Sequence, residues 1–133
     1  MDYKLEVIVI PVADLDRAKA FYSEQVGFHV DVDHRAGEDF RVIQLTPVGS
    51  ACSITLMRNA ERAGTVTGLQ LVVDDIEAAR ADLASRGVEI SEPFHFGSQG
   101  QTPGLDPDRR NYGSFASFSD PDGNGWSVQE VKR

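Results

Sequence analysis

Two of the three histidines are the side chains in this sequence best suited to acid–base chemistry or to metal ligation. His34 and His95 each follow an aspartate, Asp14 and Asp75 respectively, by twenty residues. Histidine changes charge near neutral pH and often ligates metals, so the pair is a candidate for acid–base catalysis or for an unorthodox metal site. The alternative is that each lies at the exposed end of a strand and makes ordinary hydrogen bonds. We assign no role to His29.

A second candidate group lies in the segment DPDRRNYG, where Arg109 and Arg110 are followed by Tyr112. A guanidinium group offers a planar fork of donors that matches a carboxylate or a phosphate. The two arginines are therefore candidate ligand-binding residues. The alternative is that they are solvated or pair with Asp106 and Asp108 beside them.

The elements that must position these groups follow an order that occurs twice. The first copy begins with the strand-like run LEVIVIPV, a helix cap at Asp14, and apolar residues at helical spacing until Gly27. The second copy begins with LQLVV, a cap at Asp75, and a helix that stops at Gly87. Three strand-like runs follow each helix: FHVDVD, FRVIQL and SITLM in the first copy, and VEISEPFHF, SFASF and WSVQEV in the second. This order indicates an internal repeat.

The repeat predicts an α+β fold of two tandem strand–helix–three-strand (βαβββ) modules. We expect a single domain, 1–133, with a first module at 1–60 and a second at 65–133. The offset between equivalent positions grows from 61 to 74 residues along the chain, so the second half carries thirteen extra residues. They fall in 97–113, whose glycine, proline and aspartate content predicts an inserted loop. Long ordered loops often serve as lids or interface segments.

Composition excludes several classes of function. The net charge is −8 and no basic run is present, so neither nucleic acid nor an acidic membrane surface is an expected partner. No apolar stretch is long enough to span a bilayer, and the short N-terminal apolar run is typical of a buried strand, not of a signal peptide.

The single cysteine, Cys52, cannot form an internal disulfide, so we expect a cytoplasmic protein. Cys52 itself is expected to be a small buried hydrophobe. Trp126 is expected to anchor a module interface or a dimer.

The segments VADLDRAKAFYSEQVGF and SDPDGNGW, within this order of elements, resemble the vicinal oxygen chelate superfamily of glyoxalases, extradiol dioxygenases and bleomycin-resistance proteins. The resemblance covers essentially the whole chain. It implies that the two modules form a curved sheet cleft, often completed by dimerisation. We therefore expect a homodimer that binds a small organic molecule.

The resemblance also implies where a metal would bind. Metal-dependent members place a histidine seven residues before each helix-cap aspartate and a glutamate in each closing strand. None of the matching positions in this chain is a histidine, glutamate or aspartate: Val7, Ser53, Gly68 and Ser127. Apolar and hydroxyl groups do not replace imidazole or carboxylate ligands, so we expect no metal, no cofactor and no catalytic residue. Glu130 does not substitute for Ser127, because strand alternation points it to the opposite face.

These positions mark the cleft face that the resemblance implies, and strand alternation then gives their neighbours. The predicted ligand-binding residues are Val7, Val9, Ser53, Thr55, Met57, Gly68, Gln70, Ser127 and Gln129, together with Arg109 and Arg110. This mixture of apolar, hydroxyl and amide groups suits an uncharged or weakly polar organic molecule.

Three functions are compatible with the sequence. We favour a metal-free binding protein that sequesters or carries a small organic molecule, like the bleomycin-resistance branch. The alternative is a glyoxalase-like or dioxygenase-like lyase, isomerase or oxidoreductase that uses a displaced metal or metal-independent acid–base groups. The third is a structural or regulatory module that binds a protein through the inserted loop.

Overall fold

The computed structural model describes all residues 1–133. The chain divides into two compact units. The first contains residues 1–66 and 120–124, and the second contains residues 67–119 and 125–133. Each unit is built on a βαβββ module around a mixed sheet, which confirms the predicted α+β fold class.

The first unit contains one four-stranded sheet and one short helix. Its elements are β1 (Val7–Val12), α1 (Leu15–Ala20), which continues as a π-helical turn (Phe21–Gln25), β2 (His29–Ala36), β3 (Phe40–Thr46) and β4 (Ser53–Arg58). The strand order is β1-β4-β3-β2, with β1 parallel to β4 and the other pairs antiparallel.

Local chemistry explains where α1 begins and which sheet face it covers. The backbone of Asp14 is extended, and its carboxylate accepts a hydrogen bond from the Arg17 amide at 3.0 Å, as an N-cap should. The helical segment ends before Gly27, which adopts a left-handed φ of 90°. Alternate residues of the sheet are fully buried on the helix side: Ile10, Val12, Ile43, Leu45 and Leu56. The intervening residues form the opposite, open face of the first sheet.

The second unit contains a five-stranded sheet. Its elements are β5 (Leu69–Val73), α2 (Ile76–Ser85), β6 (Phe94–Gly97), β7 (Gly100–Pro103), β8 (Phe115–Ser119) and β9 (Gly125–Glu130). The order is β5-β9-β8-β6-β7, with β5 parallel to β9. Asp75 caps α2 by accepting from the Ala78 amide at 3.1 Å. Trp126 is buried on the helix side, where it stacks on Phe118 with ring centroids 6.0 Å apart.

Strand β7 lies inside the segment that the sequence predicts to be a loop. A tight turn at residues 98–99 joins β6 to β7, and Gly100 after the turn has a left-handed φ of 94°. The pairing runs from Phe94 opposite Pro103 to Gly97 opposite Gly100. Strand β7, with the sequence GQTP, lacks the apolar alternation that would mark it as a strand, because it is an exposed edge strand.

The turn Asp120–Asn124 belongs to the first unit although it directly precedes the last strand of the second. The Asp120 carboxylate accepts from the Tyr22 hydroxyl at 2.8 Å and from the amides of Asp122 and Asn124, each at 2.9 Å. The Asn124 side chain donates to the same carboxylate at 2.8 Å and to the Pro11 carbonyl at 2.9 Å. Asp120 and Asn124 are therefore buried core residues of the first unit.

No helix in the structure combines the length and the apolar character needed to cross a bilayer.

Candidate functional site

The open face of the second sheet presents a row of amide, hydroxyl and apolar side chains. Gln70 on β5 lies opposite Ser127 on β9, and Val72 lies opposite Gln129. On the other side of β9, Gln129 lies opposite Phe115 of β8. Val72 is 45% exposed, although it is a large apolar residue. Strand alternation therefore places three predicted ligand-binding residues together: Gln70, Ser127 and Gln129.

Gly68 is the fourth predicted residue of this sheet, and it immediately precedes β5. Because the pairing of β5 with β9 begins at Leu69 opposite Trp126, the residue opposite Ser127 is Gln70. Gly68 has a left-handed φ of 82°, and open space lies where a Cβ would be.

An aromatic cluster lies beside this polar row. It consists of Phe94, Phe96 and Phe115: Phe115 stacks on Phe94 with centroids 5.7 Å apart and meets Phe96 edge-on at 5.3 Å. Phe96 is 59% exposed, which is unusual because phenylalanine is among the residue types most often buried. The sequence prediction did not include these residues. The available signal was phenylalanine at alternate positions in FHF, which places two rings on one strand face.

Two pockets flank the aromatic cluster. One, of about 300 Å³, is lined by Ser91, Glu92, Pro93, Phe94, Gln101, Pro103 and Ser117. The other, of about 310 Å³, is lined by Phe96, Asp106, Arg110, Asn111, Tyr112, Gly113 and Phe115. Each reaches the lower end of the size range of small-molecule sites.

A chain of hydrogen bonds crosses the polar row. The Gln129 Nε2 donates to the backbone carbonyl of Tyr112 at 3.1 Å. The Gln70 Nε2 donates to the Gln129 Oε1 at 2.6 Å, and the Ser127 hydroxyl donates to the Gln70 Oε1 at 3.3 Å. We call these four residues the amide chain. Tyr112 has a left-handed φ of 68°, a conformation that costs free energy in a residue other than glycine.

Arg109 lies on the helix side of the same sheet. Its Nε and Nη2 donate to the Glu130 carboxylate at 3.0 and 2.7 Å, and its Nη1 meets Glu77 at 3.2 Å. Glu130 is 1% exposed and also accepts from the Ile76 amide at 3.0 Å. The guanidinium and this amide hold the pKa of Glu130 below its ordinary value. Contact of Arg109 with a ligand stays a prediction.

Arg110 borders the pocket beside Phe96 and Phe115. Its Nε and Nη2 donate to the buried Asp106 carboxylate at 3.0 and 2.8 Å, which is one of the pairings considered from the sequence. Hydrogen bonds from the Arg110 side chain and backbone lower the pKa of Asp106 to about 2. The Arg110 side chain is nevertheless 69% exposed, so the pairing fixes its guanidinium at the pocket without burying it.

The open face of the first sheet carries the remaining predicted ligand-binding residues: Val7, Val9, Ser53, Thr55 and Met57. Val7 lies opposite Ser53, and Val9, which is 56% exposed, lies opposite Thr55. Ser53 is buried and shares a 2.7 Å hydrogen bond with the Thr46 hydroxyl, which in turn donates to Asp31. The structure thus brings these residues together on one face.

The two candidate histidines lie in different units of the chain. His34 lies on the exposed strand β2 of the first unit. His95 lies on β6 of the second, where its Nδ1 shares a hydrogen bond with the Gly104 carbonyl at 2.8 Å. No three His, Cys, Asp or Glu side chains are grouped so as to hold a metal ion. The residues present therefore do not fit the metal that the resemblance implies for some members, and we derive no chemistry through one. Cys52 is half-buried.

Comparison with known proteins places this geometry in a family. The model of the Glyoxalase/Bleomycin resistance protein/Dioxygenase superfamily matches residues 4–128. The chain is similar to the structure of TnmS3, an antibiotic binding protein from Streptomyces sp. CB03234, with 31% identity, a TM-score of 0.77, and coverage of 98% of this chain and 97% of that one. A glyoxalase/bleomycin resistance protein from the same organism gives 32% identity, a TM-score of 0.72, and coverage of 96% and 100%. YetH, an uncharacterized protein of Bacillus subtilis (strain 168), is 24% identical over 130 residues, which cover 96% of this chain and 98% of that one. The chain therefore belongs to the glyoxalase/bleomycin resistance protein/dioxygenase superfamily, which is the vicinal oxygen chelate superfamily that its sequence resembles.

Proposed function

We propose that this protein binds a planar, largely apolar organic molecule on the open face of the second sheet, and that it sequesters or carries this molecule without a metal. The observation that carries the proposal is the aromatic cluster beside the amide chain. The similarity to TnmS3, an antibiotic binding protein, over nearly the whole of both chains supports a binding function.

The physical argument rests on what an exposed aromatic cluster does in water. Phe96 keeps most of its surface in solvent, and Phe94 and Phe115 are only half-buried. A planar ligand that covers these rings removes apolar area from water and gains offset-stacked or edge-to-face contacts, which add about 0.5–1.5 kcal/mol per aromatic pair. The adjacent amide and hydroxyl groups then orient the ligand by hydrogen bonds.

The proposal extends to the open face of the first sheet. Exposed Val9, half-buried Met57 and the neighbouring hydroxyl groups offer a second mixed surface to an organic molecule. We expect Met57→Asp to weaken ligand binding, because it places a charge among apolar contacts. Unchanged affinity in that variant would refute a binding role for the open face of the first sheet.

The test uses 2-naphthol, a planar two-ring probe whose own fluorescence reports binding. We expect the wild-type protein to bind it and Phe115→Ala to weaken binding about tenfold, because the ligand loses its contact with this ring, and Phe94 and Phe96 lose the ring that they pack against. Tyr3→Ala is the control, since Tyr3 is an aromatic residue that is 90% exposed and precedes β1, outside both sheets and outside the cluster. Equal weakening in both variants, or none in either, would contradict the assignment of the site.

We also propose that the protein is a homodimer, as dimerisation in this superfamily leads us to expect. Light scattering at micromolar concentration should give twice the mass of the 14.6 kDa chain. A monomer mass would refute this part of the proposal.

A further inference from the structure

The donor-to-acceptor direction of the hydrogen bonds in the amide chain is fixed at one end by a group that can only accept. A backbone carbonyl is an acceptor only, so the Gln129 side chain must turn its NH2 group towards the Tyr112 oxygen. Gln129 then offers its Oε1 to its neighbour, and Gln70 must turn its own NH2 group towards that oxygen. The Gln70 Oε1 is left facing Ser127, whose hydroxyl donates to it.

The consequence appears at Ser127, where the amide chain meets the open face. A serine hydroxyl has one hydrogen and two lone pairs. Because the hydrogen is engaged by Gln70, Ser127 offers lone pairs to anything that approaches from solvent. Ser127 is half-buried. A ligand acceptor placed against its oxygen would therefore lose its hydrogen bonds to water and gain none in return.

The inserted loop holds the carbonyl in place. The Tyr112 amide donates to the Glu130 carbonyl at 2.9 Å, and the Glu130 side chain binds Arg109 of the same loop at 2.7 Å. Arg109 and Tyr112 both have left-handed backbones, with φ of 49° and 68°. Non-glycine residues persist in that region only where the surrounding contacts determine it, so the loop presents the carbonyl in one orientation.

We propose that the amide chain makes the site select ligands by hydrogen-bond direction: the ligand group that lies on Ser127 is a donor, such as a phenolic hydroxyl or an amine N–H. Tyr112, Gln129 and Gln70 are positioning residues, and Ser127 is the contact. This inference rests on the proposed function.

The sheet geometry sets the size of such a ligand. Ser127 and Phe115 lie on adjacent strands in diagonal positions, since Phe115 is opposite Gln129 and Ser117 is opposite Ser127. Diagonal neighbours are about 7–8 Å apart. A fused two-ring system with a hydroxyl group at one end reaches from the aromatic cluster to Ser127. The ligand class is therefore a planar, fused-ring phenol or aryl amine.

The experiment compares two probes that differ only at the donor. 2-Naphthol carries a phenolic hydroxyl, and 2-methoxynaphthalene keeps the ring and the oxygen but has no donor. Apolar area alone favours the methoxy compound, because it carries an extra methyl group. We expect the wild-type protein to reverse this order and to bind 2-naphthol at least about tenfold more tightly, since the methoxy oxygen meets an acceptor on Ser127.

Two variants test the chain itself. Gln129→Ala removes the link to the Tyr112 carbonyl, which frees the Gln70 amide to rotate and the Ser127 hydroxyl to donate, so the preference should fall to within about threefold. Ser127→Ala removes the acceptor with little change in volume, and it should abolish the preference even if Gln129→Ala does not fold. Gln99→Ala is the control, because Gln99 is an exposed glutamine of the β6–β7 turn. The preference of this variant for 2-naphthol over 2-methoxynaphthalene should equal that of the wild type.

The outcomes separate this inference from the proposed function. If both probes bind equally well and Phe115→Ala weakens both, the aromatic site stands and the directional selection is wrong. If the preference survives in Gln129→Ala and Ser127→Ala, it does not arise from the amide chain and the inference is overturned. If neither probe binds at millimolar concentration, the proposed function and the inference resting on it both fail.

Discussion

Replacement of Asp120 by alanine should be among the most damaging substitutions in the first unit. Asp120 is 5% exposed, and its carboxylate accepts four hydrogen bonds, two of them from backbone amides of its own turn. The other two come from the Tyr22 hydroxyl and the Asn124 side chain, both of which belong to fully buried residues. In Asp120→Ala these two buried donors lose that acceptor.

The size of the effect follows from these partners. Loss of the acceptor of a buried donor costs about 1–3 kcal/mol, so the Tyr22 hydroxyl and the Asn124 backbone amide together predict a loss of about 2–6 kcal/mol. The Asn124 side chain keeps the Pro11 carbonyl as a partner. Tyr22→Phe removes one donor and leaves the carboxylate three others, which predicts a smaller loss of about 1.5 kcal/mol. Against a typical total stability of about 5–15 kcal/mol, Asp120→Ala alone removes a large share.

The assay is urea unfolding of the two single variants and of the double variant, followed by circular dichroism and by Trp126 fluorescence. Coincident transitions would justify a two-state treatment. We expect a coupling free energy of about 1–2 kcal/mol between Tyr22 and Asp120, because each single variant breaks the same hydrogen bond. Asp108→Ala, at an exposed loop position, is the control and should change stability by no more than about 0.5 kcal/mol. Additive losses in the double variant would refute the view that this hydrogen bond contributes to stability.

Two further predictions concern the turn and the inserted loop. Gly64→Ala should destabilise the protein far more than Gly49→Ala: both residues have left-handed backbones, but a Cβ at Gly64 overlaps the Asp122 carbonyl oxygen, whereas nothing lies within 4 Å of one at Gly49. Equal melting temperatures of the two variants would contradict this. Arg110→Ala should raise the pKa of Asp106 from about 2 towards its ordinary 3.8, as read by NMR titration of the carboxyl carbon. Since the folded pKa is the lowered one, the pair stabilises the wild type above pH 4 and its contribution fades as the pH falls towards 2, so the wild type and variant should converge in stability there. A stability difference that is the same at pH 6 and pH 2 would count against the pairing.

Local signals were sufficient to predict the modules. Asp14 and Asp75 have the extended backbone and the side-chain hydrogen bond of N-caps, and each directly precedes its helix. Strand alternation correctly separated Ser127 and Gln129 from Glu130, whose carboxylate faces the start of α2. These features depend on residues that are close in the sequence, so the spacing of residues along the chain is enough to predict them.

Features that depend on distant residues could not be read in the same way. The offset of 61 residues aligns the helix caps and so selects Gly68, but the pairing of β5 with β9 places Gln70 opposite Ser127. The aromatic cluster joins β6 to β8 across more than fifteen residues of inserted sequence. The pairing of Arg109 with Glu130 spans 21 residues and links the inserted loop to the closing strand. No local pattern specifies such partners, because the chain contains several arginines and glutamates and the sequence around each does not say which of them pair.

The inserted segment explains why the two modules are chemically unequal although they share one plan. In the first module, the connection between β2 and β3 is a turn at 37–39. On the open face of this sheet, the Gln44 Nε2 lies 3.5 Å from both the Asp31 Oδ2 and the Ser53 Oγ. The Asp31 carboxylate accepts only, so it orients the Gln44 amide, but it stands on a side chain that can rotate away. In the second module, the longer connection brings the Tyr112 carbonyl to Gln129, and this acceptor belongs to a backbone that is held by the hydrogen bond from the Tyr112 amide to the Glu130 carbonyl. Insertion of a loop thus gives one of two similar sheets a fixed hydrogen-bond direction, and in our proposal this asymmetry lets one face select one kind of ligand group.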